Sequence, residues 1–193
     1  IMSDFELEQI ADSFVSVGKL AKESGVDAVD VKCCHGYLLN ELLGAKTRDG
    51  QYGGSYEKRT RLIMEIVQRI IHDVGIDCTV RMDTFSGDVI PYRWGIDDEG
   101  NCSLVEPVRF AIDLMNLGVE LLNISIGNPF VRPYLSRPYN RDLATPEHPL
   151  ISIDRLLNHA RITQKAVPQV NVVGSGFTGL SHAGPHVGAG LIK

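Results

Sequence analysis

The stretch Val26-Asp-Ala-Val-Asp-Val-Lys-Cys-Cys-His-Gly-Tyr37 decides the fold. Val26 to Val31 is a short β-branched run that reads as a buried strand, and Lys32, His35 and Tyr37 follow it directly. Working outward, the same unit recurs. Upstream, apolar residues at helical spacing (Phe5, Leu7, Ile10, Ala11, Phe14, Val17, Leu20, Ala21) predict a helix over Asp4 to Glu23, with Ser3 or Asp4 as N-cap and Gly25 as its stop. Downstream, Ser55 begins a helix through Ile71 that Gly75 closes, and Cys78 to Met82 is a strand. Val105 to Leu117 is a helix stopped by Gly118, Val119 to Ile126 a strand, Ile153 to Ala166 a helix entered from Pro149, and Gln169 to Val173 a strand. Alternating helices and strands predict parallel α/β architecture.

The unusual residues gather where strands end. Arg81 leads to Asp83, the third strand runs into Asn123, Ser125, Gly127 and Asn128, and the fourth ends in Gly174, Ser175 and Gly176. Strand carboxyl ends are where (β/α) barrels build their sites, and where open α/β sheets bind ligands. Periodicity does not choose between the two. The Pro-rich stretch from Asn128 to Pro149 reads as a long ordered, functional loop.

The 193 residues are 44% hydrophobic and 22% charged, with a net charge of −5, which suits one packed domain over 1–193 and excludes a disordered chain. No apolar run approaches the roughly 20 residues of a membrane span, and no basic-then-apolar leader opens the chain. The mild acidity, with no basic block, points away from nucleic acid as the main partner. Ile1 in place of Met suggests that residues precede it. Cys33, Cys34, Cys78 and Cys102 have neither zinc-pair spacing nor disulfide density, so free thiols in a reducing cytoplasm are expected. His72, His148, His159, His182 and His186 are too scattered for a metal site, and they read as surface or capping residues.

Several segments have both a chemical and a packing reading. His35 and Tyr37 suit one site, His35 giving a hydrogen bond to a carbonyl or anionic oxygen and Tyr37 a proton. Alternatively, Tyr37 packs on the next helix and His35 caps the loop. Arg81, a charge inside Val80-Arg-Met82, meets an anion or polarised ring, or else pairs with Asp83 in the barrel interior. Val173-Gly-Ser-Gly176 is a phosphate cradle or an ordinary tight turn. Gly53-Gly54 has no following Gly-Lys-Ser/Thr, so a nucleotide P-loop is disfavoured.

Taken together, His35-Gly-Tyr-Leu-Leu-Asn-Glu-Leu-Leu43, Arg48, Tyr52-Gly-Gly-Ser55, Glu57 and Arg59-Thr-Arg61 resemble the signature of the Old Yellow Enzyme family, the NADH:flavin oxidoreductases with 2,4-dienoyl-CoA reductases as relatives. Val80-Arg-Met82 is similar to the family's fifth barrel strand, Pro146-Glu-His-Pro149 to a stretch before its sixth helix, and Val172-Val-Gly-Ser-Gly176 to its seventh strand.

The resemblance implies a (β/α)8 TIM barrel of which about half is present, strands four to seven. It implies FMN, which passes hydride from NAD(P)H to a small-molecule substrate, an activated alkene. Tyr37 and His35 match the catalytic pair, Tyr37 as proton donor to the α-carbon and His35 as one member of the carbonyl-holding pair. Lys32 stands where the family's other substrate-binding residue, usually His, is expected, so an acidic or CoA-like ligand is as well suited as an enone. Arg81 matches the contact to the flavin pyrimidine side, and Gly174, Ser175 and Gly176 match the turn near the FMN phosphate. An iron–sulfur cluster of longer members would lie outside this chain. A cytoplasmic homo-oligomer is expected. Two other readings remain open: a Schiff-base lyase using Lys32, and a catalytically silent barrel fragment.

Overall fold

The computed structural model describes residues 1–87, 94–138 and 146–192. Part of the expected Pro-rich loop, residues 139–145, lies outside them. The first helix, α1 (Asp4–Glu23), begins at a capping box in which Ser3 accepts from the Glu6 amide and Glu6 accepts from Ser3. Only a narrow stripe of it is buried: Leu7, Ala11, Val15 and Gly18. Phe5, Val17 and Leu20, expected on the core face, are exposed. Gly18 explains the close approach, since a Cβ there would touch Ile70 Cγ1 at 3.6 Å.

Strand β1 is Ala28–Cys33, two residues later than its sequence pattern suggests. Gly25 (φ 79°) donates to Lys22 O and Val26 to Ala21 O, so Val26 still belongs to the helix cap. The later start places Lys32 inside the strand rather than after it. Three helices escaped the sequence reading: the short α2 (Leu38–Leu43) and α5 (Pro133–Ser136), and the last helix, Gly184–Ile192. Helix α3 (Tyr56–Arg69) passes into a π turn over Ile70–Val74 before Gly75 turns left-handed. Then follow β2 (Asp77–Asp83), α4 (Val105–Asn116), β3 (Leu121–Ser125), α6 (Pro149–Ala166) and β4 (Asn171–Val173), with a 3-10 turn (Phe177–Ala183) leading into α7 (Gly184–Ile192). No helix among the described residues is long and apolar enough to cross a membrane.

The four strands form one parallel sheet in the order β1-β2-β3-β4, as in the wall of a (β/α)8 barrel. One face carries Val31, Cys33, Val80, Met82, Leu122 and Ile124, all buried with Leu62, Ile63, Ile66 and Val67 of α3 in the main core. Full burial of each such aliphatic side chain stabilises the fold by about 1.5–3 kcal/mol. The opposite face, alternate in sequence, is polar: Asp30, Lys32, Thr79, Arg81, Asp83, Asn123 and Ser125. In a barrel this face is the interior.

Candidate active site

Register brings the chemistry together. Lys32 pairs with Arg81, Arg81 with Asn123 and Asn123 with Val173, so one row crosses all four strands. One step further along, Asp83 pairs with Ser125. Neighbouring strands lie ~4.8 Å apart, which sets the lateral spacing of both rows.

In the first row Arg81 Nε and Asn123 Oδ1 are buried without a hydrogen-bond partner. A donor and an acceptor left open side by side suit a planar group bearing both, and a heterocyclic imide is one such group. No ion pair joins Arg81 to Asp83 among the described residues, where the packing reading expected one.

His35 sits just past β1 in a left-handed backbone (φ 64°), a conformation uncommon outside glycine that histidine takes more readily than most side chains. Its amide donates to Asp83 Oδ2 at 2.7 Å, and its Nε2 meets Ser125 Oγ at 2.6 Å. Asn40 of α2 completes the tie, accepting from Gly36 N and donating to Cys33 O. Burial, followed by the charges of Arg81, Lys32 and Arg137, brings the His35 pKa down to about 4. The ring is therefore neutral at ordinary pH. Asp83 is fully buried and burial raises it to about 8, against the opposing pull of the His35 amide hydrogen bond and of nearby Ser125, Arg81 and Lys32. Its Oδ1 has no partner.

Tyr37 is half-exposed and stands at the N-cap of α2. Its ring lies under Lys32 Nζ, 3.7 Å from the centroid, and meets Phe130 edge-on at 6.5 Å. The ring is thus held by a cation and an aromatic edge, not packed into the core. Cys34 is buried and its thiol is pushed up to about 12, chiefly by burial, so it is no nucleophile. Cys34, His35 and Asp83 offer atoms within 4.8 Å of one another, yet Lys32 and Arg81 lower the pKa of Asp83 by their positive charge, and such a field disfavours a metal ion. All four cysteines are free.

The glycine turn behaves differently from the rest. Ser175 Oγ donates to Ile124 O at 2.9 Å, and a Cβ on Gly176 (φ 98°) would meet Leu156 Cδ1 at 3.0 Å. Its hydroxyl is committed to β3, which leaves backbone amides to face a ligand.

Two histidine expectations part ways. His148 caps α6 by accepting from Leu150 N, as expected of a capping residue. His159, expected at the surface or as a cap, is instead buried: Nδ1 lies 2.8 Å from Thr84 Oγ1, Nε2 lies 3.9 Å from Cys102 Sγ, and burial brings its pKa to about 4. It falls on the inner face of α6, where Leu156, Ala160 and Thr163 are also buried. Asp83, Ser125 and Asn123 were visible only as polar residues at strand tails. The signal that singles them out is parity within each strand, because Asp83 lies two residues from Arg81 and Ser125 two from Asn123, so each pair shares a face.

The model of the NADH:flavin oxidoreductase / NADH oxidase family matches residues 1–91. The NADH oxidase of Thermoanaerobacter brockii is 33% identical over 137 residues, 69% of this chain and 20% of that protein. Among solved structures, morphinone reductase in complex with tetrahydroNAD is 26% identical with a TM-score of 0.54, covering 64% of this chain and 33% of that one. A 2-naphthoyl-CoA reductase in complex with 2-naphthoyl-CoA, 21% identical with a TM-score of 0.66, shares the fold over 89% of this chain and 24% of its own. The chain therefore spans about a fifth to a third of the length of these proteins. With the motif between His35 and Arg61, the parallel β/α wall and these matches in agreement, the chain belongs to the NADH:flavin oxidoreductase / NADH oxidase family, the Old Yellow Enzyme family.

Proposed function

We propose that this chain forms part of an FMN-dependent oxidoreductase that passes hydride from NAD(P)H to an alkene conjugated with a carbonyl. The observation that carries the reading is the row Lys32–Arg81–Asn123, with Arg81 Nε and Asn123 Oδ1 buried and open on the barrel-interior face. Flavin, when bound, supplies reversible uptake and delivery of hydride. Arg81 would meet its pyrimidine side, where a fixed positive charge favours an anionic ring. The backbone at Gly174, Ser175 and Gly176 would face its phosphate.

The remaining steps belong to the chain. Lys32 would bind the carbonyl oxygen of the substrate as a charged donor, drawing electron density from the alkene. His35 would hold the same end of the substrate. Tyr37, whose hydroxyl is not used to cap α2, would give its proton to the α-carbon. Because Lys32 is a point charge, carboxylates and CoA thioesters are suited as substrates alongside simple enones.

The test is to titrate FMN into the full-length protein of which this chain forms part and follow flavin absorbance, then NAD(P)H oxidation with a small enone; the 193-residue chain by itself should bind flavin weakly or not at all. Flavin binding with enone-dependent turnover is expected. Absence of both overturns the reading. A covalent adduct on Lys32, trapped by borohydride with a carbonyl compound, would favour a lyase instead. In an active protein, Tyr37→Phe slows alkene reduction while flavin reduction by NAD(P)H stays near the parent rate.

A further inference from the structure

We propose that Asn40 is a positioning residue whose carboxamide clamps the corner carrying His35 and Tyr37, and so fixes the reach of both toward one ligand. The inference rests on the reading of His35 as carbonyl holder and Tyr37 as proton donor, and it adds the group that keeps them in place.

The backbone of the corner calls for a clamp. His35 (φ 64°) and Gly36 (φ 72°) are left-handed in succession, directly after strand β1. Each of their amides is taken by a side chain. His35 N donates to Asp83 Oδ2 at 2.7 Å, and Gly36 N donates to Asn40 Oδ1 at 2.9 Å. The other end of the same carboxamide, Asn40 Nδ2, donates to Cys33 O at 3.3 Å, the last carbonyl of the strand. Asn40 thus ties the residue before the bend to a residue within it. A carboxamide donates and accepts at once, which is what spanning these two groups demands.

The same side chain sits where Tyr37 is set. Tyr37 starts α2 without a side-chain cap, its carbonyl accepting from Glu41 N, and Asn40 belongs to that first turn. The bend therefore lies between strand β1 and a helix that turns back to hold it. From the other side the β3–α6 connection covers it, since a Cβ on Gly36 would collide with the Asn128 side chain.

Both rings leave this corner for fixed partners. His35 Nε2 meets Ser125 Oγ at 2.6 Å, and the Tyr37 ring lies under Lys32 and against Phe130. Asn40 is 5% exposed, so it acts through the backbone between the two rings and not on a ligand. Removing its carboxamide leaves Gly36 N and Cys33 O without their partner and frees the bend to shift. A displacement of about 1 Å at reacting groups costs about a hundredfold in rate.

The test compares Asn40→Leu, of similar volume without polar atoms, with Asn40→Asp, which keeps an acceptor for the Gly36 amide in either protonation state. Amide hydrogen exchange is measured on the full-length protein without flavin or substrate, and the rates of flavin reduction and alkene reduction are then measured separately. In Asn40→Leu, exchange at Gly36 and Tyr37 should rise about tenfold, the worth of one hydrogen bond, while the buried Ile63 and Ile66 of α3 keep their protection. Alkene reduction should fall about ten- to a hundredfold, well beyond any change in flavin reduction by NAD(P)H. Asn40→Asp should recover most of both losses. Should Asn40→Leu not fold, Asn40→Ser, too short to bridge Gly36 N and Cys33 O, carries the same expectations. Unchanged exchange at Gly36, an equal fall in both reaction steps, or an Asn40→Asp no better than Asn40→Leu overturns the proposal. A parent protein that neither binds flavin nor oxidises NAD(P)H would sink the proposed function, and the exchange comparison would still decide the clamp.

Discussion

The ammonium of Lys32 lies 3.7 Å from the centroid of the Tyr37 ring, so the two residues assigned to opposite ends of the proposed reduction are in contact before any ligand arrives. The contact orients the phenol and holds the ammonium at the mouth of the strand row. Lys32→Met removes both the cation–π contact and a charged donor, and hydrogen bonds to charged groups are worth about 1.5–3 kcal/mol. The KM for a carbonyl-bearing substrate should rise about tenfold or more, each tenfold being ~1.4 kcal/mol. Lys32→Arg should recover most of it. Steady-state kinetics on the two variants checks both expectations.

Arg59 is a buried staple, not a site residue. Its guanidinium donates to Leu43 O and Gly54 O and pairs with Glu106 at 2.6 Å, joining α2, the glycine turn and α4. Arg59→Met strands these acceptors and should cost about 3 kcal/mol, read as a lower denaturant midpoint. Arg69→Ala, which breaks an exposed pair with Asp12, should leave the midpoint where it was.

Two glycines separate close approach from backbone freedom. A Cβ on Gly53 would collide with the backbone at Arg48, whereas Gly25 has open space but a φ of 79°. Gly25→Ala should cost roughly 1–2 kcal/mol, the left-handed penalty alone. Gly53→Ala should cost more, and urea melts of the two variants should keep that order.

Three groups, Asp83 and His159 buried and His35 partly so, shape stability against pH. Asp83, near 8 in the fold against an ordinary 3.8, keeps a proton that the unfolded chain has lost, so its contribution falls as pH rises between those values. His35 and His159, near 4 against an ordinary 6.5, bind fewer protons folded than unfolded, so theirs rises over that interval. Two rising contributions exceed one falling contribution up to 6.5, and beyond it only Asp83 acts. Thermal unfolding should peak near pH 6.5 and decline toward 8. In Asp83→Asn the decline should vanish.

Period and caps made the helices α1, α3, α4 and α6 legible, because each buries an apolar stripe that repeats in sequence. Helix α2 hid inside Leu38–Leu43, too short for a period and started by Tyr37 without a side-chain cap. The motif residues His35, Tyr37, Lys32 and Arg81 stood out by type and position. Asp83 and Ser125 did not, since their importance comes from a register between strands that are 42 residues apart in the chain, set by the Asp83–Ser125 pairing. His159 was misread because a lone polar residue on an amphipathic helix gives no sign of which neighbour awaits it. Thr84, its partner, lies 75 residues away.

The row Lys32–Arg81–Asn123 rests on strand register, while Tyr37 and Phe130 stand on the connections beyond the strands. Insertions and substitutions in those connections can reshape what enters the cleft without altering the spacing of the row. Mutation and selection can thus act on ligand preference and on the shared chemistry as two separately inherited parts, one variable and one held constant by the sheet.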